Sequence, residues 1–141
     1  VRIVQDTNVF VAALRSGAGA SRLVLESCLR RAHQPLMAQA LWLEYRDVLS
    51  RVDLWKDCVL TAKERAELLD DFAAVCLWVQ IWFLWRPNLP DEGDNHLAEL
   101  AIAGNAAALV TFNVKDFLPA KFAAAGMRVL TPAQFKQHYL L

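Results

Sequence analysis

Three cysteines, five glycines and five prolines among 141 residues leave little from which to build a disulfide-stapled or low-complexity chain. An odd number of cysteines cannot pair completely, and Cys28, Cys58 and Cys76 show no C-x-x-C spacing. They read as reduced thiols of a cytosolic protein rather than as staples or zinc ligands. Excess charge of either sign is also missing: Lys and Arg total 15, Asp and Glu total 15, and no block of like charge occurs. That excludes a broadly basic surface that coats nucleic acid, so any contact with a polyanion must come from local arrangement of charge. Long apolar runs are absent too. The longest, residues 75–85, is interrupted by Gln80 and as a helix would span only about 16 Å, against the ~30 Å of a bilayer core. Asp6 breaks the short apolar opening, which therefore does not read as a secretory leader. What is present is ample core material, 56% hydrophobic against 21% charged residues. The length suits a single domain, 1–141, at about 100–200 residues per domain.

Gly and Pro sit at joints between periodic segments. Arg2-Ile3-Val4-Gln5 reads as a buried strand that runs into a loop at Asp6-Thr7-Asn8. Residues 15–21 form a loop by their Gly and Ser content, with Ser21 as a possible cap for the helix that follows. Residues 35–38 give a second strand and residues 41–52 a second helix. Thr61-Ala62-Lys63-Glu64 has the form of a capping box opening a third helix to about residue 75. Residues 78–85, dense in aromatic and β-branched side chains, read as a strand, although periodicity alone does not separate helix from strand there. A helix over 94–103, a strand over 107–111, a loop over 112–116 and a strand over 127–130 follow. Thr131-Pro132 then starts a closing helix with Pro at its first position. Alternating strands and helices predict an α/β/α sandwich on a mainly parallel sheet of about five strands. The first strand should be central, because it is short, apolar and feeds the acid at its end.

The carboxylates fall where such a sheet binds ligands. Asp6 lies just past the first strand and Asp116 just past the strand that ends at Thr111, and open parallel sheets bind beyond the carboxyl ends of their strands. Asp94 opens the helix leading into that later strand, and Glu44 sits on the second helix. Taken singly each has an ordinary reading: a turn or cap for Asp6 and Asp94, a solvated helix face for Glu44, an Asx-turn for Asp116. Together they repel, and such a cluster persists when a divalent cation offsets the repulsion. All-oxygen ligation favours Mg²⁺ or Mn²⁺ over zinc, and such a cation with open water positions equips a site for phosphodiester hydrolysis.

Asp6-Thr7-Asn8 after Arg2-Ile3-Val4 resembles the opening motif of PIN domains, a nuclease family often found as toxins of bacterial toxin–antitoxin pairs. Leu43-Glu44-Tyr45-Arg46-Asp47-Val48-Leu49 is similar to the family's second motif, and Asp91-Glu92-Gly93-Asp94-Asn95-His96-Leu97 to its third. Leu109-Val110-Thr111-Phe112-Asn113-Val114-Lys115-Asp116-Phe117 resembles the fourth. Val129-Leu130-Thr131-Pro132-Ala133-Gln134-Phe135 looks like the family's last strand and helix. The four motifs stand in order over essentially the whole chain, and the pattern is most similar to the subgroup assigned as toxin components.

The resemblance implies a metal-dependent ribonuclease in which Asp6, Glu44, Asp94 and Asp116 are the catalytic acids. Asp6, Asp94 and Asp116 would hold Mg²⁺, with Mn²⁺ as a substitute, and Glu44 would hold a water and act as base. Asn8 and Thr111 match polar positions near the metal, and Asn113 matches a position that is acidic in many relatives. Gly93 stands in a run that is richer in Asp in close relatives, which leaves open whether Asp91 supplements Asp94 or is a loop acid. The stretch Trp78-Val79-Gln80-Ile81-Trp82-Phe83-Leu84-Trp85 is heavier in aromatics than is usual in the family.

The implied partners are RNA, a small antitoxin protein and a second copy of the chain, with Trp55, Trp78, Trp82 and Trp85 as candidates for partial exposure at such an interface. Arg15, Arg22 and Lys115 are candidate contacts to the RNA backbone. His96, two residues from Asp94, would lie on a different helix face and reads as a partly buried polar side chain. The alternative is a non-catalytic module of the same fold that binds a metal or a basic partner peptide. No dinucleotide or Walker motif is present, and Cys28 lacks the His and acid partners of a thiol nucleophile.

Overall fold

The computed structural model describes residues 1–82, 89, 91–117, 119–139 and 141. Among these, five strands form one parallel sheet in the order β3-β2-β1-β4-β5, with β1 (Arg2–Gln5) at its centre. On one side β1 pairs with β2 (Gln34–Met37), in register Ile3 with Pro35. On the other it pairs with β4 (Ala108–Val110), in register Val4 with Leu109. The outer strands are β3 (Leu77–Trp78) beside β2 and β5 (Arg128–Leu130) beside β4. Ile3, Val4, Ala108, Leu109 and Val110 are fully buried. That burial is what a strand covered by helices on both faces requires, and it accounts for their continuous apolar sequences.

Seven α-helices cover the described sheet: α1 (Thr7–Arg15), α2 (Ala20–Leu29), α3 (Gln39–Ser50), α4 (Ala62–Val75), α5 (Asn95–Ala103), α6 (Pro119–Ala124) and α7 (Pro132–Tyr139). Helix α5 packs on β1, β2 and β4, whereas α2 packs on α1, α4 and α7. Between α1, α3 and α4, Phe10 meets the Tyr45 ring edge-on at 5.0 Å and Phe72 at 5.8 Å. The buried Tyr45 hydroxyl donates to the Gln5 carbonyl oxygen at 2.6 Å, tying α3 to the end of the central strand. Gly104 ends α5 where a Cβ would collide with Leu36, so a glycine lets the helix end close against β2.

The expected loop at Asp6-Thr7-Asn8 is instead the start of α1. The Asp6 carbonyl oxygen already accepts from the Val9 and Phe10 N–H groups at 3.1 and 3.4 Å. Ser21 does not cap α2: Gly19 holds that place at φ 121°, a conformation open to glycine, and Ser21 is buried inside the helix. The second helix ends at Ser50, and Val52 belongs to a separate 3₁₀ turn. The loop over 112–116 contains a 3₁₀ turn at Val114–Phe117. Of the strand expected over 78–85, only Leu77–Trp78 pairs, with the Val79 N–H extending it to the Met37 carbonyl oxygen at 2.8 Å. Residues 79–82 are irregular and 83–85 lie outside the described residues. Both capping motifs read from sequence are present. Thr61 and Glu64 bond reciprocally at the start of α4, and Thr131 and Gln134 do the same before α7. No helix among the described residues is long and apolar enough to cross a membrane.

Candidate acidic site at the carboxyl edge of the sheet

Asp6 belongs to strand and helix at once. Its N–H donates to the Val110 carbonyl oxygen at 2.9 Å, continuing the β1–β4 ladder, while its carbonyl oxygen opens α1. The backbone is fixed from both sides, and the side chain is buried. The Thr111 hydroxyl donates to Asp6 Oδ2 at 2.8 Å and accepts from the Asn113 N–H at 3.1 Å, so its single proton is directed at the carboxylate. The Thr7 hydroxyl lies 3.4 Å from Oδ1. Burial pushes the Asp6 carboxyl above its ordinary range and Glu44 adds to the rise, against the Thr111 hydrogen bond and His96, which lower it.

Three more acids converge on this edge. Half-buried Asp94 closes a 3₁₀ turn that leads into α5, and its carboxyl is pushed up to about 6. Burial is the main cause, followed by the charges of Asp6, Asp91, Glu44 and Asp116, so all four sit within its electrostatic reach. Asp116 is exposed on the 3₁₀ turn after β4. Glu44, on α3, lies beside His96 of α5, with Nε2 and Oε2 3.2 Å apart. That is the distance of an ion pair when the imidazole is protonated, but the two are not aligned as a hydrogen bond. His96 is thus a site neighbour that sequence reasoning set aside. The packing of α3 against α5 creates the contact, and no local spacing marks it.

Asp91 is spent locally: its Oδ1 accepts from the Gly93 N–H at 2.9 Å, capping the turn that carries Asp94. Asn8 stands in the first turn of α1 with a buried, unpartnered Oδ1. Asn113 is exposed at the turn that positions Thr111. The proposed RNA contacts divide. Lys115 is exposed beside Asp116, and Arg15 closes α1, roughly 12 Å along the helix from its start. Arg22 is occupied by Glu26 at 3.3 Å and by the Ala13 carbonyl oxygen at 3.2 Å. Cys28 is fully buried with its thiol pushed up to about 12 by that burial, so no thiolate nucleophile forms there near neutral pH.

The donor set suits a hard cation. It is all carboxylate and amide oxygen, and it includes two buried oxygens without a hydrogen-bond partner, Asn8 Oδ1 and Glu44 Oε2. Among the described residues, no three His, Cys, Asp or Glu side chains close into a chelating group.

These shifts give a testable pH dependence. A carboxyl whose folded pKa is raised contributes stability that is fully present below its ordinary value, near 3.8, and is lost as pH rises through about 6. Metal-free protein should therefore resist urea better at pH 4.5 than at pH 7. Added Mg²⁺ should recover part of the loss at pH 7, and Asp94→Asn should flatten the slope. Urea midpoints at the two pH values decide it, and equal slopes for parent and variant would remove Asp94 from the strained set.

The tryptophans do not form the expected set. Trp55 is buried, its indole N–H donating to the Val48 carbonyl oxygen at 3.0 Å beneath the Arg65 guanidinium, so it cannot mark an exposed interface. Trp78 and Trp82 are 49% and 80% exposed, and Trp85 lies outside the described residues.

Comparison with known proteins gives a consistent picture. Residues 2–115 match the PIN domain family. VapBC2 from Rickettsia felis, in a crystal structure bound to a DNA fragment from their promoter, has 18% identity and a TM-score of 0.61, over 93% of this chain and 98% of that one. FitAcB from Neisseria gonorrhoeae has 17% identity and a TM-score of 0.55, over 92% and 97%. These likenesses concern the fold. No curated protein matches the sequence.

Proposed function

The chain belongs to the PIN domain family, whose members are generally nucleases that use divalent metal ions, and on that premise we propose that it is a Mg²⁺-dependent endoribonuclease and the toxin of a toxin–antitoxin pair. The observation that carries the reading is the gathering of Asp6, Glu44, Asp94 and Asp116 at the carboxyl edge of the sheet. Burial, and then the charges of Asp6, Asp91, Glu44 and Asp116, push the Asp94 carboxyl up, and the repulsive part of that rise is relieved by a cation. The RNA substrate and the antitoxin partner rest on the resemblance of the sequence motifs to the toxin subgroup.

Asp6, Asp94 and Asp116 would hold the cation, with Asn8 Oδ1 available as a neutral oxygen. When bound, a divalent cation supplies Lewis-acid polarisation of the phosphoryl oxygen and a lowered pKa for the attacking water. Glu44 Oε2, buried and free of a hydrogen bond, would take the proton from that water. His96 Nε2, 3.2 Å away, faces it as an ion-pair partner when the imidazole is protonated. Thr111 orients Asp6 and, by donating to Oδ2, opposes the rise that burial imposes on its carboxyl. Asp91 supports the turn under Asp94 and is not itself a ligand in this reading.

The second reading, a catalytically silent module that binds a metal or a partner protein, draws on the lack of a closed chelating group among the described residues. One experiment separates the two. Single-stranded and structured RNAs are incubated with purified protein and Mg²⁺, Mn²⁺ or EDTA. Cleavage is expected with either cation and none with the chelator. Activity that survives EDTA would overturn the metal nuclease. A rise in melting temperature with Mg²⁺ in the absence of cleavage of any RNA would favour the silent module.

A further inference from the structure

Beside the acids lies an open cavity of about 710 Å³ that the mechanism does not use. Its lining includes Trp78 of the edge strand, Val79 and Ile81 of the irregular segment that follows, Gln39 from the start of α3 and His96 from α5. His96 is the neighbour of Glu44, so cavity and acidic site are continuous. Trp78 is fixed there. Its indole N–H donates to the Ala73 carbonyl oxygen at 3.3 Å and its ring meets Trp42 at 5.7 Å and 62°, yet the residue stays 49% exposed. A half-exposed aromatic ring held in one orientation is a stacking platform whose ordering entropy is already spent.

The lining also decides what it stacks. Glu92 borders the cavity and repels a phosphate, whereas a neutral base can stack on the indole and pair its polar edge with the amides of Gln39 and Gln80. We infer that this cavity is a nucleobase subsite, in which one unstacked base of a single-stranded RNA, adjacent to the scissile phosphate, lies on Trp78. The inference rests on the nuclease reading and adds to it a determinant of where the RNA is cut.

The test is an abasic scan. An RNA cleaved by the parent protein is resynthesised with one abasic nucleotide, placed in turn at each position around the cut. At a single position the parent's KM should rise between about fivefold and a hundredfold, the range that loss of one base–aromatic stack gives. Trp78→Leu should show a similar rise with the intact RNA and no further penalty from the abasic nucleotide at that position. Its kcat should stay within about twofold of the parent's, as for uniform binding. Trp78→Phe, which keeps an aromatic face, should retain most of the discrimination. Independently of any variant, 5-iodouridine at that position, irradiated on the parent protein with Ca²⁺ in place of Mg²⁺, should crosslink to Trp78. Equal abasic penalties in parent and Trp78→Leu, or a crosslink mapped elsewhere, would overturn the subsite while leaving the nuclease standing. Unchanged RNA parameters together with lost affinity for a protein partner would hand the groove to that partner. Failure to cleave any RNA would sink the nuclease and the subsite together.

Discussion

Asp6→Asn should lower RNA cleavage by at least about a hundredfold while the protein stays folded. A hundredfold is the upper scale for residues that merely orient a metal ligand, and in the proposed site Asp6 is a ligand itself. The substitution keeps the volume of a buried side chain, and the Thr111 hydroxyl can still bond the amide. It also removes one of the charges that raise the Asp94 carboxyl. Metal-free Asp6→Asn should therefore unfold at the same urea concentration as the parent or a higher one. Asp116→Asn should abolish cleavage equally, with stability inside about 0.5 kcal/mol of the parent because Asp116 is exposed. Cleavage assays beside urea titrations read both quantities. A fully active Asp6→Asn would remove the central acid from the mechanism, and an unfolded one would make its role structural.

The largest stability effect is expected from Phe10→Ala, at about 3–5 kcal/mol. Phe10 is completely buried, and its ring is the piece between Tyr45 and Phe72 that joins α1 to α3 and α4. Removing it leaves a cavity on which three helices cannot all close. For a chain of this size the loss corresponds to roughly 10 °C or more in melting temperature. Activity should fall as well at temperatures where the variant is still folded, because Tyr45 anchors α3 to Gln5 and stands next to Glu44. A melting shift of only a degree or two would mean that this aromatic cluster does not hold the layer together.

Much of this arrangement is legible in residue order. Ile3 and Val4 of β1 and all of β4 are apolar, as strands buried on both faces require, and an acid lies beyond each strand, so centrality and the carboxyl-edge site follow from one pattern. The Thr61–Glu64 capping box and the Thr131 N-cap are legible because their hydrogen bonds are local, and the structure adds Gln134 as the reciprocal partner of Thr131. The failures are tertiary. Asp6, Thr7 and Asn8 have turn chemistry, and α1 forms there because Val9, Phe10, Ala13 and Leu14 are drawn into the core. The aromatic run was read as one strand, but edge pairing reaches only Leu77 and Trp78 among the described residues. Trp55 looked suited to an interface and is buried, because a carbonyl oxygen for its indole N–H lies seven residues back. The His96–Glu44 contact spans two helices with no repeat or spacing to announce it.

The central position of the first strand also sets a clock. Asp6 is synthesised 105 positions before Thr111, whose hydroxyl orients it, and the backbone that fixes it belongs to β4. Until that strand has been made, the growing chain holds β1 with one side unpaired and Asp116 still unsynthesised. Local helices form early, whereas pairing across so long a separation comes late. An acidic edge wired in this way is assembled only after β4 has been made, and until then its central acid is held neither by Thr111 nor by the ladder.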